Sequence, residues 1–544
     1  VSRIRNLPKR DWQAEAVIYA EELSRELRTP QGTQRLHPIQ AACLLEAPLC
    51  GGLFANARVG SGKTLISGLL PTVFGSRRPL LLVPSNLLKK TRAAFRELRL
   101  HWRLPLSYRI ESYSKLGTVT GAKMLSEYDP DLIVCDEAHK LKRILNSAVA
   151  KRVLRHKMNN WGRVRMCFLS GTFMRDGLMD YAHMLFMALG KGAPVPLKTG
   201  DQETWASLLD PRGDGTEYQF LSEDLGAVRN REEAQDAYRD RLVSAPGVIV
   251  STQTYTERAL HIECHEVQAP VMMDDLFAPL RLDWTAPDSW TFGDAFGVYA
   301  CARQLGMGFS AKHVPWPPED WYKARTAFCS DTRSIIECSD KLDSVYQIKG
   351  ACERGELQLD SYDEWKELEP TFKVTRETVW HSYHVLDKIQ ELVAKSGRRT
   401  IVWTTSVELG RELERRTGWC FFQQDACDLR GRLIDNVRDK IVIASYQACR
   451  EGHNLQRWQH NVFTSPPASG LDFEQWCSRT HRDYQTEDVT CDVLLTCTED
   501  LDAVTKAMRT AESTKATLGF EQKLLFATVA IPQIKQQGYA FYRK

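Results

Sequence analysis

Short apolar runs alternate with amphipathic stretches in two parts of the chain, and each run ends in a polar or glycine-rich loop. Runs that are apolar throughout belong to strands buried on both faces, so the rhythm predicts parallel sheets covered by helices. The expected strands are 53–56, 80–83, 132–135 and 166–169 in the first part, then 400–403, 420–423, 441–444, 462–464 and 489–495 in the second. Residues 380–394 carry Tyr383, Leu386, Ile389 and Val393 at helical spacing before Gly397, which predicts a helix opening the second part. Between the two, over 253–378, strand-like runs fade and Trp284, Trp290, Trp316, Trp321 and Trp365 accumulate beside Tyr299, Tyr322 and Tyr362. A mainly helical insertion is expected there, its tryptophans forming a core of their own. The competing use for Trp316 and Trp321 is stacking on unpaired bases, and a protein partner docked on 253–378 is a further use. The fold class is α/β, divided as an N-terminal helical extension (1–30), a first lobe (31–252), the insertion (253–378), a second lobe (379–500) and a C-terminal helical segment (501–544).

Composition narrows the picture. The 544 residues hold 72 Lys plus Arg against 69 Asp plus Glu, a net charge of +3, which excludes a polybasic coat for nucleic acid. No apolar run approaches the roughly 18 residues needed to span a bilayer. The charged first ten residues lead into no apolar stretch of the secretory kind. Fifteen cysteines without a C-x-x-C pair suit free thiols in a reducing compartment, so a cytoplasmic protein is expected, from a bacterial or phage-infected cell, or a nuclear one if eukaryotic.

Ala57-Arg58-Val59-Gly60-Ser61-Gly62-Lys63-Thr64 follows an expected strand and opens a helical stretch. Gly60, Ser61 and Gly62 can turn backbone N–H groups toward a polyphosphate, Lys63 can reach its outer phosphates, and Thr64 offers a hydroxyl to Mg²⁺. Downstream, the apolar run 132–135 ends in Asp136-Glu137, two carboxylates where open α/β sheets hold their ligands. Alone, such a pair serves as a helix cap. With a phosphate loop upstream, Asp136 reads as the Mg²⁺ partner and Glu137 as the base that activates water.

In their order these motifs resemble the superfamily-two helicases and translocases, most nearly the Swi/Snf-type ATPases of the DEAH kind. Leu36-His37-Pro38-Ile39-Gln40 resembles the stretch whose glutamine reads adenine, and Ala57 stands where that family's own phosphate loop tolerates it. The stretch with Pro84, Ser85 and Lys89 is similar to the loop that touches the nucleic-acid backbone. Ser170-Gly171-Thr172 is similar to the coupling loop, with Phe173 where proline is usual. Ser445, Gly452 and Asn454 fall in what resembles the loop that senses ATP and contacts the strand. Gln475-Trp476-Cys477-Ser478-Arg479-Thr480-His481-Arg482-Asp483-Tyr484-Gln485 matches the family's last motif at Gln475, Arg479, His481, Arg482 and Gln485. The resemblance spans 35–187 and 380–496. It implies two RecA-like lobes, ATP with Mg²⁺, Gln475 as a coupling residue and Arg479 and Arg482 as arginine fingers. It implies a motor that tracks double-stranded DNA, with single-stranded DNA as the second substrate and a strand-separating helicase as the alternative. A non-catalytic scaffold is the reading from another class.

Two other features bear on partners. From Lys140 to Arg165 nine basic residues occur with no Asp or Glu, which suits either a phosphate-tracking patch or a solvated helix face; Lys89, Lys90 and Arg92 are better placed by position. His261, Cys264 and His265 suggest a metal site, but no fourth ligand lies at a usual spacing and the alternation favours a strand, so no zinc is expected.

Overall fold

The computed structural model describes residues 2–531 apart from 59, 143–146, 172, 175, 176, 212, 251–257, 340, 341, 343, 450, 451, 483 and 484. The first sheet contains β1 (Gly52–Asn56), β2 (Pro79–Val83), β3 (Arg109–Ser112), β4 (Leu132–Asp136), β5 (Arg165–Ser170) and β6 (Val248–Val250), in the order β3-β2-β4-β5-β1-β6. Every pairing is parallel. Alternate residues feed two cores, Leu80, Leu82, Ile133, Cys135 and Phe168 on one face and Leu81, Val83, Val134, Cys167 and Leu169 on the other. This explains why the strands read as continuous apolar runs. Their C-terminal ends lie in register, with Asn56 beside Ser170 and Val250, and Asp136 beside Leu169.

The second sheet begins with β7 (Leu260–Glu266), upstream of the insertion. Within the insertion, β8 (Phe309–Val314) and β9 (Thr375–Trp380) form a separate antiparallel pair. The second sheet then takes up β10 (Thr400–Thr404), β11 (Phe421–Phe422), β12 (Ile441–Ser445), β13 (His460–Phe463), β14 (Val489–Leu495) and β15 (Thr528–Ala530), all parallel in the order β11-β12-β10-β13-β14-β7-β15. The protein is thus α/β, with two RecA-like parallel-sheet lobes and a mainly helical insertion between them.

Three details differ from the sequence reading. Leu260–Glu266, which fell within the stretch assigned to the insertion, is a strand as its alternation suggested, and it pairs with β14 inside the second sheet. The helix expected over 380–394 starts later, as His384–Ser396 capped by Gly397 at φ 62°, because Trp380 closes β9. The C-terminal segment holds the helix Thr498–Leu518, but it also returns a short strand, β15, to the second sheet.

The insertion is built on the helices Asp274–Leu282, Ala295–Gly306, Glu319–Cys338, Val345–Glu353 and Asp360–Leu368. Trp290, Trp321, Tyr362 and Trp365 are buried with Phe277 and Phe328 in its core. Trp321, 6% exposed, offers no platform to a base, whereas Trp316 is 45% exposed. The insertion is tied to the second lobe by Arg303 Nε, 2.8 Å from the buried Asp500 Oδ1, and by Tyr299 donating to the Glu499 carbonyl. No helix among the described residues is long and apolar enough to cross a membrane.

Candidate active site

The phosphate loop bends at Gly60 (φ 100°) and Gly62 (φ 77°), conformations that side chains with a Cβ rarely adopt. Gly62 is the N-cap of Lys63–Phe74 and uses no side-chain cap, which leaves the helix N-terminus to an external anion. A Cβ at Gly62 would lie 2.2 Å from Gln40 Nε2, so the backbone approaches the Gln40 amide more closely than any other residue type allows. That amide donates to the Ser61 carbonyl at 3.0 Å, and its oxygen accepts from the His37 N–H at 3.0 Å. Lys63 Nζ donates to the carbonyls of Ala57 (3.1 Å) and Arg58 (3.2 Å), a buried cation held inside the curl of the loop. Thr64 follows, half-buried. These features fit a polyphosphate with its Mg²⁺: a loop turned by two glycines at positive φ, a lysine, a hydroxyl and a nearby carboxylate.

Asp136 ends β4, and its Oδ1 accepts the Glu137 N–H at 3.0 Å while Tyr113 donates to its carbonyl. Burial raises the Asp136 carboxyl above its usual range, and the charge on Glu137 adds to the shift. Burial acts the same way on Glu137, but Lys63, then His139 and Arg479, hold that carboxyl below its ordinary range. Glu137 also has φ 51°, a left-handed conformation that costs a residue with a side chain on the order of 1 kcal/mol or more. Strained backbone at the end of a buried strand marks a position held for its side chain rather than for stability.

From the second lobe, Arg479 is buried on the helix Gly470–Thr480, with Nε donating to the Gln475 carbonyl at 3.2 Å and Nη1 to the His453 carbonyl at 3.4 Å. Its charge reaches Glu137 across the cleft. Arg482 is half-buried, and its charge, like that of Arg479, acts on Lys90 of the first lobe. Gln475 is buried, and its Oε1 has no partner among the described residues. Gly452 (φ 79°) accepts a hydrogen bond from Lys90 Nζ, and a Cβ there would strike Leu87. The structure therefore brings Gly60, Ser61, Gly62, Lys63, Asp136 and Glu137 together, with Arg479 of the second lobe near enough for its charge to act on Glu137. Thr172 lies outside the described residues.

The remaining candidates lie at the ends of strands and in loops of the two lobes. Pro84 is buried and Ser85 and Lys89 are exposed in the loop after β2; Ser445 ends β12; and Asn454 is exposed, its N–H bound by Asp435 Oδ1. Much of the basic stretch has structural work instead. Arg152 binds the carbonyls of Leu116 and Thr118, Lys157 that of Val164, Arg163 pairs with Asp129, and Arg165 lies over Phe74. Lys151 and Arg155 stay exposed.

Three residues that sequence reasoning passed over belong to the site. His139 Nδ1 lies 3.2 Å from both Glu137 Oε2 and Ser170 Oγ, linking the acid pair to the end of β5. Asn56 is fully buried at the end of β1, and neither its Nδ2 nor its Oδ1 has a partner among the described residues. Arg58, 6% exposed, donates to the Glu521 carbonyl at 2.7 Å and lies over the rings of Phe520 and Phe526, so the C-terminal segment touches the phosphate loop. A polar residue closing an otherwise apolar run was the visible signal at Asn56, and His139 stands two residues after Glu137 in the run Asp136-Glu137-Ala138-His139; nothing local marks the contact of Arg58 with the C-terminal segment. Searched against known families, the sequence matches no family profile, and it matches no curated protein.

Proposed function

We propose that the chain is an ATP-hydrolysing motor of the superfamily-two kind that moves along nucleic acid, double-stranded DNA in the first place. The observation that carries this reading is the convergence of Lys63, Asp136 and Glu137 from one lobe with Arg479 from the other, since a scaffold needs no buried cation and acid pair facing an arginine across a cleft. Gly60, Ser61, Gly62 and Lys63 would hold the phosphates, Thr64 and Asp136 the Mg²⁺. The metal supplies charge neutralisation at the phosphate oxygens. Ionised Glu137 accepts the proton of the attacking water, and the His139 ring, donating from Nδ1, keeps that carboxylate oriented. Arg479 and Arg482 stabilise charge on the transferring group. Because the arginines and the base sit on different lobes, hydrolysis depends on how the lobes close, and Lys90, bonded to Gly452, lies where such closure meets the cleft candidates for DNA.

The test compares ATPase rates without nucleic acid and with single strands, blunt duplex DNA and duplex RNA, followed by displacement of a third strand from a triplex. Duplex stimulation that rises with length, together with triplex displacement, supports the translocase. Stimulation by single strands with efficient fork unwinding replaces it with the helicase reading, for which Trp316 is an exposed tryptophan. No ATPase under any condition returns the scaffold.

A further inference from the structure

On the face of the second sheet covered by the helix His384–Ser396, strands β10, β13, β14 and β7 place Thr400, His460, Asp492, Glu263 and His265 side by side, with Glu263 and Asp492 at the same register. The polar atoms form a graded line. Thr400 Oγ1 is 2.8 Å from His460 Nδ1, His460 Nε2 is 2.6 Å from Asp492 Oδ2, and Asp492 Oδ1 is 2.9 Å from His265 Nε2. Glu263 Oε1 stands 3.9 Å from His265 Nδ1, too far for a hydrogen bond. Side-chain exposure rises along the line from 2% at His460 through 15% at Asp492 and 16% at His265 to 65% at Glu263.

We propose that Glu263, His265 and Asp492 bind a divalent first-row transition ion, with Zn²⁺ as its type. One imidazole and two carboxylates on rigid strands, open to water on one side, form a donor set of the kind such ions take. The ion replaces the proton between His265 Nε2 and Asp492 Oδ1. Bonds of about 2.0–2.2 Å set two donors roughly 3.3 Å apart on a tetrahedral ion, a few tenths of an ångström more than the 2.9 Å between them now. Glu263 closes from the solvent side, the donor atoms of the three residues already lying within 4.8 Å of one another. Water fills the fourth position. His460, itself fixed by Thr400, orients Asp492 from behind, as the partners of metal-binding carboxylates do. Sequence spacing brings only Glu263 near His265 and leaves the site incomplete, because Asp492 lies 227 residues downstream and only the β7–β14 pairing joins them. The ion would fasten β7 to the rest of the sheet and would have no part in ATP turnover.

The test uses the full chain, stripped of metal and titrated with Zn²⁺ alone against a chromophoric chelator, with thermal unfolding measured in parallel. The expected result is one equivalent bound and a higher melting temperature. His265→Gln and Glu263→Gln should each weaken binding by at least about tenfold, while Cys338→Ser, which removes an exposed thiol, leaves it unchanged. Should His265→Gln fold poorly, Glu263→Gln decides alone, since that side chain is exposed. Wild-type protein that binds no zinc, or binds it no better than Glu263→Gln does, reduces the cluster to a hydrogen-bonded ion pair and overturns the proposal. Because the measurement contains no nucleotide, either result leaves the motor reading where it stands.

Discussion

His139 stands with Nδ1 3.2 Å from Glu137 Oε2, and Ser170 Oγ lies at the same distance from that nitrogen. An ionised carboxylate only accepts hydrogen bonds, so the imidazole carries its proton on Nδ1 and shares it between the two. Burial lowers the pKa of His139 and keeps the ring neutral, although Glu137 opposes the shift. A base held this way can take a proton from water without losing its orientation. Glu137→Gln should cut ATP turnover by roughly 10² to 10⁴ while ATP still binds, and Lys63→Ala should abolish both. Nucleotide affinity and steady-state hydrolysis, measured on the same preparations, check this; near wild-type turnover in Glu137→Gln rules out its role as the base.

Arg482→Ala should lower turnover by on the order of 10³ or more with little change in nucleotide affinity, because a finger acts on charge that develops in the transition state. A variant that loses affinity and rate in equal proportion would make Arg482 a ground-state contact instead.

Stability should fall in acid. His481 is buried with Nδ1 facing Lys523 Nζ at 3.1 Å and Nε2 facing the Arg258 carbonyl at 2.7 Å, so a second ring proton would meet an ammonium. Burial, then Lys523, push its pKa down to about 4, and burial does the same to His183, also to about 4. A lowered folded-state pKa means the unfolded chain takes the proton first. The stabilisation is therefore complete above the unfolded value near 6.5 and is lost as pH falls through about 4. Each group is good for on the order of 2–3 kcal/mol, and His481→Gln should flatten the dependence of the denaturant midpoint on pH across this window. An equally steep profile in the variant would contradict the assignment.

Asn56→Leu should stabilise the protein. The side chain it replaces is fully buried with donor and acceptor both unmet among the described residues, each costing about 1–3 kcal/mol. An amide retained against such a cost, in register with Ser170, is expected to serve the site, so ATP turnover should fall as the melting temperature rises. A lower melting temperature would show that the amide supports the fold after all.

Lys89→Ala should weaken DNA binding about equally for all sequences and reduce the slope of log affinity against log salt by roughly 1. Binding isotherms at several salt concentrations read this directly. An unchanged slope would remove Lys89 from the phosphate contacts.

What could be read from sequence was local. The apolar runs of β1, β2, β4 and β5 announce themselves because both faces of a parallel strand are buried, and the phosphate loop and acid pair are each a few contiguous residues. The place of β7 was hidden for the opposite reason. Only Leu260, Ile262 and Cys264 point inward, so it alternates like a half-exposed strand, and its partner β14 lies beyond the whole insertion. The bonds of His139 with Ser170 and of Arg58 with Glu521 are contacts that no spacing rule reaches.

Because β7 precedes the insertion and β10 follows it, both ends of the inserted segment are rooted in the same sheet. The Arg303–Asp500 ion pair anchors its middle to that lobe as well. The segment is built as part of the second lobe: on the motor reading proposed above, a substrate held near Trp316 would keep a constant distance from Arg479 and a changing one from Lys63. A label on the insertion would report the stroke only against a mark on the first lobe, and would stay silent against one on the second.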